Sequence, residues 1–577
     1  MFRDLEFTDQ EPPVRAMLTS NEQFFLELMN AARLDPLGEA ARQGIDLNAG
    51  LPNDKEGWKE IAPIPVQPLA PNAFIQQASA DHGQWMLDTD TFSHTGAGGS
   101  SPGDRIVAAG YALTGQWTWG ENLAIFNTTG NLDLGAVIKE GIGGFKGHFD
   151  GLYESPGHRV NIFEGAFRET GVAQVAGEFT APDSEGIIRD WNASTITNKF
   201  GTTGTSVFLT GVIYDDTDTS GLYSVGEGRD AFQVSAAGIA TATWAAGGYT
   251  LALDSNPAVT VTLGTGASAM QVTVDLSGDN VKLDLMNGNR ILTSGDVVLG
   301  DGATEVQMLG AVDNAVTGNA SDNFFYIGRG DNVIDGGGGF DTVVFTGRQS
   351  DFTVVDNGAG QFTVMDQRSG PASDGTNTVS DVAALAFTDT TVSLLPDTAA
   401  TTLTGHLSMP DAAPAANLGL RVTLSDGSAR LAGSDASGDF SLGLPEGLTG
   451  TLDTQPGAGN PQSLTIGDAL DVLRLAVGLP PSFGPATPHD LIAADVDFSG
   501  RVAVDDALNV LRAVVGLETP GAAPGEYVLL TPGQSLDGMT HDAVSYDRGF
   551  DLDHAMAGST LDLQVVMLGD TGATQAV

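Results

Sequence analysis

Residues 155–163 read SPGHRVNIF: a Ser-Pro-Gly corner, a His-Arg pair and an apolar run. The chain has only 8 histidines in 577 residues, so one placed between a corner and aliphatic residues calls for a reason. It either caps a turn or forms half of a site whose other members lie earlier in the chain.

Composition narrows the field. A chain of this length exceeds one hydrophobic core, and three to six domains are expected. With 76 glycines and 7% aromatics, short strands and turns are favoured over helical bundles. The 73 acidic and 25 basic residues give a formal charge of −48, which repels nucleic acid and anionic membranes and favours divalent cations. After residue 200 the only lysine is Lys282. Cysteine is absent, excluding disulfides and thiol nucleophiles. No apolar stretch approaches the ~20 residues of a membrane span, so no transmembrane segment is expected. The first residues, MFRDLEFTDQEPPVRAML, lack an apolar core and do not read as a signal peptide.

Residues 20–33, SNEQFFLELMNAAR, predict a helix opened by a capping box of Ser20 and Gln23, with Phe24, Phe25, Leu28, Met29 and Ala32 on one face. A second helix is expected from about Asn72 to Leu87. His82 falls within its apolar stripe, where a hydrogen-bonded core histidine is the commoner outcome. FSH (92–94) and GEN (120–122) then precede the opening stretch.

The order of these elements resembles the CAP superfamily, also called SCP-like, in its cysteine-free bacterial branch. The helix Glu22–Arg33, the triplets Phe92–His94 and Gly120–Asn122, and Ser155–Ile162 match four family motifs in order. The resemblance implies an α-β-α sandwich with one cleft. There His94, Glu121 and His158 would converge, and a divalent metal can bind. Two imidazoles and a carboxylate suit Zn²⁺ with an open position for water. Many members carry a second cleft glutamate, and Glu140 and Glu154 are both open for that place. The alternative is that these polar groups only brace the sandwich through hydrogen bonds. No HExxH or P-loop occurs, and nothing establishes an enzyme.

The acidic remainder carries calcium patterns. In DDTDTSGLYSVGEG (215–228), Asp216, Asp218, Ser220, Gly221 and Glu227 take positions 1, 3, 5, 6 and 12 of an EF-hand loop, with the Leu222 carbonyl at position 7. Residues 318–344 divide into three nonapeptides, GNASDNFFY, IGRGDNVID and GGGGFDTVV. They resemble hemolysin-type (RTX, repeats-in-toxin) repeats, a parallel β-roll with Ca²⁺ between turns. Gly328, Gly330, Gly337 and Gly339 supply tight turns, and Asn323, Asn332 and Asp341 hold the sixth position. A glycine-rich linker would not keep hydrophobic residues just past each Asn or Asp.

Farther on, GDALDVLRLAVGL (467–479) and DDALNVLRAVVGL (505–517) repeat at an offset of 38. Before the second, Asp495, Asp497, Ser499, Gly500, Arg501 (through its carbonyl) and Asp506 take positions 1, 3, 5, 6, 7 and 12, resembling a type I dockerin. Asp468 survives in the first repeat, but GAGNPQS upstream of it lacks carboxylates. Such a segment docks to a cohesin-like partner or is only a stabilised helix pair.

The expected architecture is therefore multidomain, α+β and β. It comprises an extension (1–19), a CAP domain (20–200), a β-sandwich-like module with a calcium loop (205–310) and a β-roll with its closing segment (311–395). A small β-sandwich (400–455), dockerin-like repeats (460–520) and a C-terminal β segment able to carry a secretion signal (525–577) follow. The leading reading is a secreted, calcium-binding modular protein, exported from a Gram-negative bacterium by a type I route without an N-terminal signal. Its calcium-dependent parts, 205–395 and 460–520, would fold outside the cell. The alternatives are an extracellular Zn-dependent hydrolase using the cleft, and a surface adhesin with an inert cleft whose β-modules bind polysaccharide.

Overall fold

The structure, a computed structural model, describes residues 17–51, 60–139, 146–358, 360–394, 399–416, 418–425, 429–445, 449–454, 464–515, 517, 519, 521–552 and 560–572. Most of the expected extension, Glu140 and the GAGNPQS stretch lie outside them.

The first helix runs Ser20–Leu34, and its cap is one residue earlier than expected. Thr19 Oγ1 accepts from Glu22 N, and the Glu22 carboxylate accepts from Thr19 N. Gln23 is thereby released to make contacts beyond its own helix. The second helix, Ala73–Asp88, is capped by Asn72. Between them lies a four-stranded sheet in the order Ala70–Pro71, Glu169–Pro182, Ile188–Thr202, Thr118–Thr128. Alternation along the strands assigns its two faces. Val172, Ile196 and Phe200 pack under Phe25, Met29, Phe149 and Tyr153, while Val175, Phe179 and Ala193 face Leu87. Gly171 lets the second helix sit directly on the sheet: a Cβ there would lie 2.3 Å from Gln76 N. The result is an α-β-α sandwich whose edge strand, Thr118–Thr128, is the one bearing Glu121.

The next unit departs from expectation. A boundary was anticipated at 310/311, yet two long sheets pass through it, ten-stranded and nine-stranded, around one core. The early strands pair mainly antiparallel. From Arg290–Thr293 onward, strands alternate between the sheets and pair parallel with the strand two along, as in Ala315–Thr317 with Val333–Asp335 and Phe324–Tyr326 with Thr342–Val344. The nonapeptides thus form coils of a roll that grows from the preceding strands. Its interior Val and Phe continue the same apolar layer, so no second core is needed. The hairpin Phe352–Gly358 and Gln361–Asp366 closes one sheet.

The small β-sandwich over 400–455 is likewise incomplete alone. Ala399–Ser408 pairs with Thr560–Met567, and Gly450–Thr454 pairs with Phe550–Leu552. Two four-stranded sheets share one core, so the expected separate segment 525–577 supplies three of the eight strands of this sandwich. The dockerin-like stretch, with helices Ile466–Ala476, Pro488–Ala494 and Val504–Val514, is inserted between its strands. Among the described residues no helix is long and apolar enough to cross a membrane.

Candidate functional site

In the cleft, Glu121 is the hub. Its Oε1 accepts from His94 Nδ1 at 2.8 Å, and its Oε2 accepts from Arg105 Nη2 at 2.8 Å and from Lys199 Nζ. Glu121 and Lys199 stand opposite each other in register across adjacent strands. Burial alone would raise the Glu121 carboxyl, but His94, Lys199 and Arg105 outweigh it and hold it at about 2. Burial, then the Arg105 charge, lowers Lys199 to about 8 against the pull of Glu121. His158 is lowered first by burial and then by the charge of His94, which places the two imidazoles within electrostatic reach. The helix carrying His158 is tied to the same strand: Asn122 Nδ2 donates to the His158 carbonyl at 3.1 Å, and Asn161 Nδ2 donates to Asn122 Oδ1 at 2.8 Å.

This geometry changes the role expected for Glu121. Both its oxygens accept hydrogen bonds and two cations face it, so a carboxyl held at about 2 is not a general base at neutral pH. Among the described residues, His94, Glu121 and His158 are not one of the groups of three whose ligand atoms all lie within 4.8 Å of one another. Glu121 instead fixes the orientation of His94, as a carboxylate partner does for a metal-binding or acid–base imidazole. Lys199 and Arg105 were missed in the sequence. Arg105 sits in an ordinary helix start, and Lys199 meets Glu121 only through strand pairing across 78 residues. His82 is a core histidine: it is buried, stacks on Trp85 and bonds the Ser93 carbonyl at 3.0 Å, and burial lowers it to about 4. Glu154 is exposed and pairs with Lys146 at 3.4 Å.

Among the described residues, two groups of three carboxylates bring ligand oxygens within 4.8 Å of one another: Asp216, Asp218 and Glu227, and Asp495, Asp497 and Asp506. The loops share their internal bonding. Gly221 N donates to Asp216 Oδ2 and Gly500 N to Asp495 Oδ2, both at 3.0 Å. Ser220 Oγ donates to the Leu222 carbonyl at 2.9 Å and Ser499 Oγ to the Arg501 carbonyl at 3.1 Å. Positions 4 and 6 are left-handed in both, at Thr219 and Gly221 and at Phe498 and Gly500. Burial raises Asp216, and it raises Asp495 to about 6 and Asp506 upward as well, with neighbouring carboxylates adding to the shift. Asp216 Oδ1 is buried without a partner. Hard oxygen ligands at this spacing suit Ca²⁺.

In the roll, Asn323, Asn332 and Asp341 point inward and are buried. Gly337 and Gly339 adopt the left-handed backbone that the coil corners require, whereas Gly328 and Gly330 do not. At Gly330 the reason for glycine is space, since a Cβ would lie 2.1 Å from the Val312 carbonyl of the preceding coil.

No curated protein matches the chain. An outer surface protein from Borrelia burgdorferi is similar at 14% identity, covering 24% of this chain and 80% of that one, with a TM-score of 0.16. The Bacillus anthracis TIE protein is similar at 9% identity with a TM-score of 0.12, over 50% of this chain and 54% of that one. Residues 26–178, which include His94, Glu121 and His158 but not the strand Ile188–Thr202, match the CAP model of the cysteine-rich secretory protein family, so the chain carries a CAP domain.

Proposed function

We propose that this chain is an extracellular, calcium-binding modular protein that carries its CAP domain on a β-scaffold, and that the cleft presents the imidazoles of His94 and His158. The supporting observation is the pair of twelve-residue loops at 216–227 and 495–506, which repeat the same bonds and left-handed positions in two unrelated settings. Six to eight oxygens are the usual calcium shell, and three carboxylates with a hydroxyl and a carbonyl go most of the way to it. Type I export accords with a charge of −48 and a glycine-rich roll, because calcium is scarce inside cells and plentiful outside. The test is calorimetric titration of the full chain with Ca²⁺. Asp216→Ala and Asp495→Ala should each remove one ion and leave the other loop's ion in place; unchanged stoichiometry in both variants refutes the reading.

A second reading concerns the helical insertion, which we propose docks to a cohesin-like partner. Ile466, Leu470, Leu473, Val477 and Leu479 are exposed, and so are their counterparts 38 residues on: Val504, Leu508, Leu511, Val515 and Leu517. An apolar stripe exposed twice at equivalent positions supports an interaction surface over a mere stabilised helix pair.

A further inference from the structure

Beside the parallel strand ladders, the buried carboxamides at the inward sixth positions bond within and between coils. Asn332 Oδ1 accepts from Asn314 N at 3.1 Å, Asn377 Oδ1 accepts from Asn332 N at 3.2 Å, and Asn323 Oδ1 accepts from Asn319 N at 2.9 Å. The amide nitrogens then donate to carbonyls: Asn332 Nδ2 to Gly330 O at 2.9 Å, Asn377 Nδ2 to Asp374 O at 2.8 Å and Asn323 Nδ2 to Ala303 O at 3.4 Å. A carboxamide thus supplies both an acceptor and a donor at an inward position, with no net charge.

Asp341 holds the same position one coil farther on and completes only half of the pattern. Its Oδ1 accepts from Asn323 N at 2.8 Å. Its Oδ2, the chemical counterpart of the asparagines' NH₂ group, is buried without a partner on a residue that is 0% exposed. A carbonyl acceptor lies nearby. A Cβ on Gly336 would lie 2.6 Å from Asp341 Oδ2 and 2.1 Å from the Asp381 carbonyl, so both oxygens converge on that glycine. A buried carboxylate oxygen facing a carbonyl oxygen is strongly unfavourable unless something positive lies between them.

We infer that the asparagine amides take over the inter-coil role of a divalent cation, so that the roll retains one cation site, at Asp341, in place of a ladder of them. This rests on the calcium reading above and revises what that reading expects of Asn323 and Asn332. Those two side chains spend their donors on carbonyls that would otherwise turn toward an ion. The roll therefore stays closed in chelator except around residues 336–345, and Asp341→Asn should extend the amide pattern to the last coil.

The test uses the full chain, titrated with Ca²⁺ by calorimetry and followed by hydrogen exchange of peptides covering 318–345, with and without excess chelator. Asp341→Asn is expected to bind one ion fewer than wild type and to exchange at least tenfold more slowly than wild type over 336–345 in chelator. Asn332→Asp is expected to do the reverse, exchanging faster in chelator and recovering with Ca²⁺. If wild type binds ions that only Asp216→Ala and Asp495→Ala remove, and Asp341→Asn changes neither stoichiometry nor exchange, the inference fails while the loop reading stands. If wild type binds no Ca²⁺, both fail together.

Discussion

Replacing Glu121 by glutamine tests the electrostatics of the cleft directly. Holding the carboxyl at about 2 when its ordinary value is 4.5 is a shift of 4.5 − 2 = 2.5 units, about 3 kcal/mol of stabilisation from the charged form. Glu121→Gln should therefore destabilise the CAP domain by about 3 kcal/mol at pH 7. Lys199 behaves differently. Its fall from 10.5 to about 8 means that burial of the ammonium outweighs its attraction to Glu121, so Lys199→Met should cost only about 1 kcal/mol. With the ammonium gone, glutamine no longer leaves a buried charge unpaired. The double variant should accordingly be no less stable than Glu121→Gln alone. Tryptophan fluorescence during urea unfolding of the full chain reports chiefly on this domain, because 5 of the 6 tryptophans, from Trp58 to Trp191, lie within residues 20–200. The pH dependence follows from the sign of the shift: between 2 and 4.5 the unfolded chain binds the proton and the folded one does not. The contribution of Glu121 is thus complete above about 4.5 and is lost as pH falls toward 2, so the gap between wild type and Glu121→Gln should narrow over that range. Single-variant costs that simply add in the double variant would refute the pairing.

Three further outcomes are expected. Gly171→Ala should destabilise the CAP domain by about 3 kcal/mol in the same fluorescence assay, because its methyl would be driven into the backbone of the helix Ala73–Asp88. Lys282→Met should cost about 3–5 kcal/mol, since it leaves Glu27 and Asp284 buried without their shared cation at the contact between the CAP domain and the β-scaffold; a change under 1 kcal/mol in thermal unfolding would contradict this. Leu470→Lys combined with Leu508→Lys should leave stability within about 0.5 kcal/mol while abolishing capture by an immobilised cohesin-like module; equal capture would refute the docking surface.

Local patterns carried much of this protein. The carboxylate clusters at 216–227 and 495–506 were legible because each draws its side chains from twelve consecutive residues, and glycine at position six answers a backbone need. The nine-residue period revealed the roll, since each coil repeats one local shape. The helix Ala73–Asp88 and the order of the cleft motifs were readable for the same reason. Tertiary structure decided what depends on partners far along the chain. Strand pairing brought Lys199 onto Glu121 and turned an expected metal ligand into a neutralised support for His94. Continuous sheets removed the boundary at 310, and strands from 550–567 completed a sandwich begun at 399, across a helical insertion. Period-two alternation tells a strand which face to bury but not which strand lies beside it, so register, domain limits and the charge state of the cleft came from the fold.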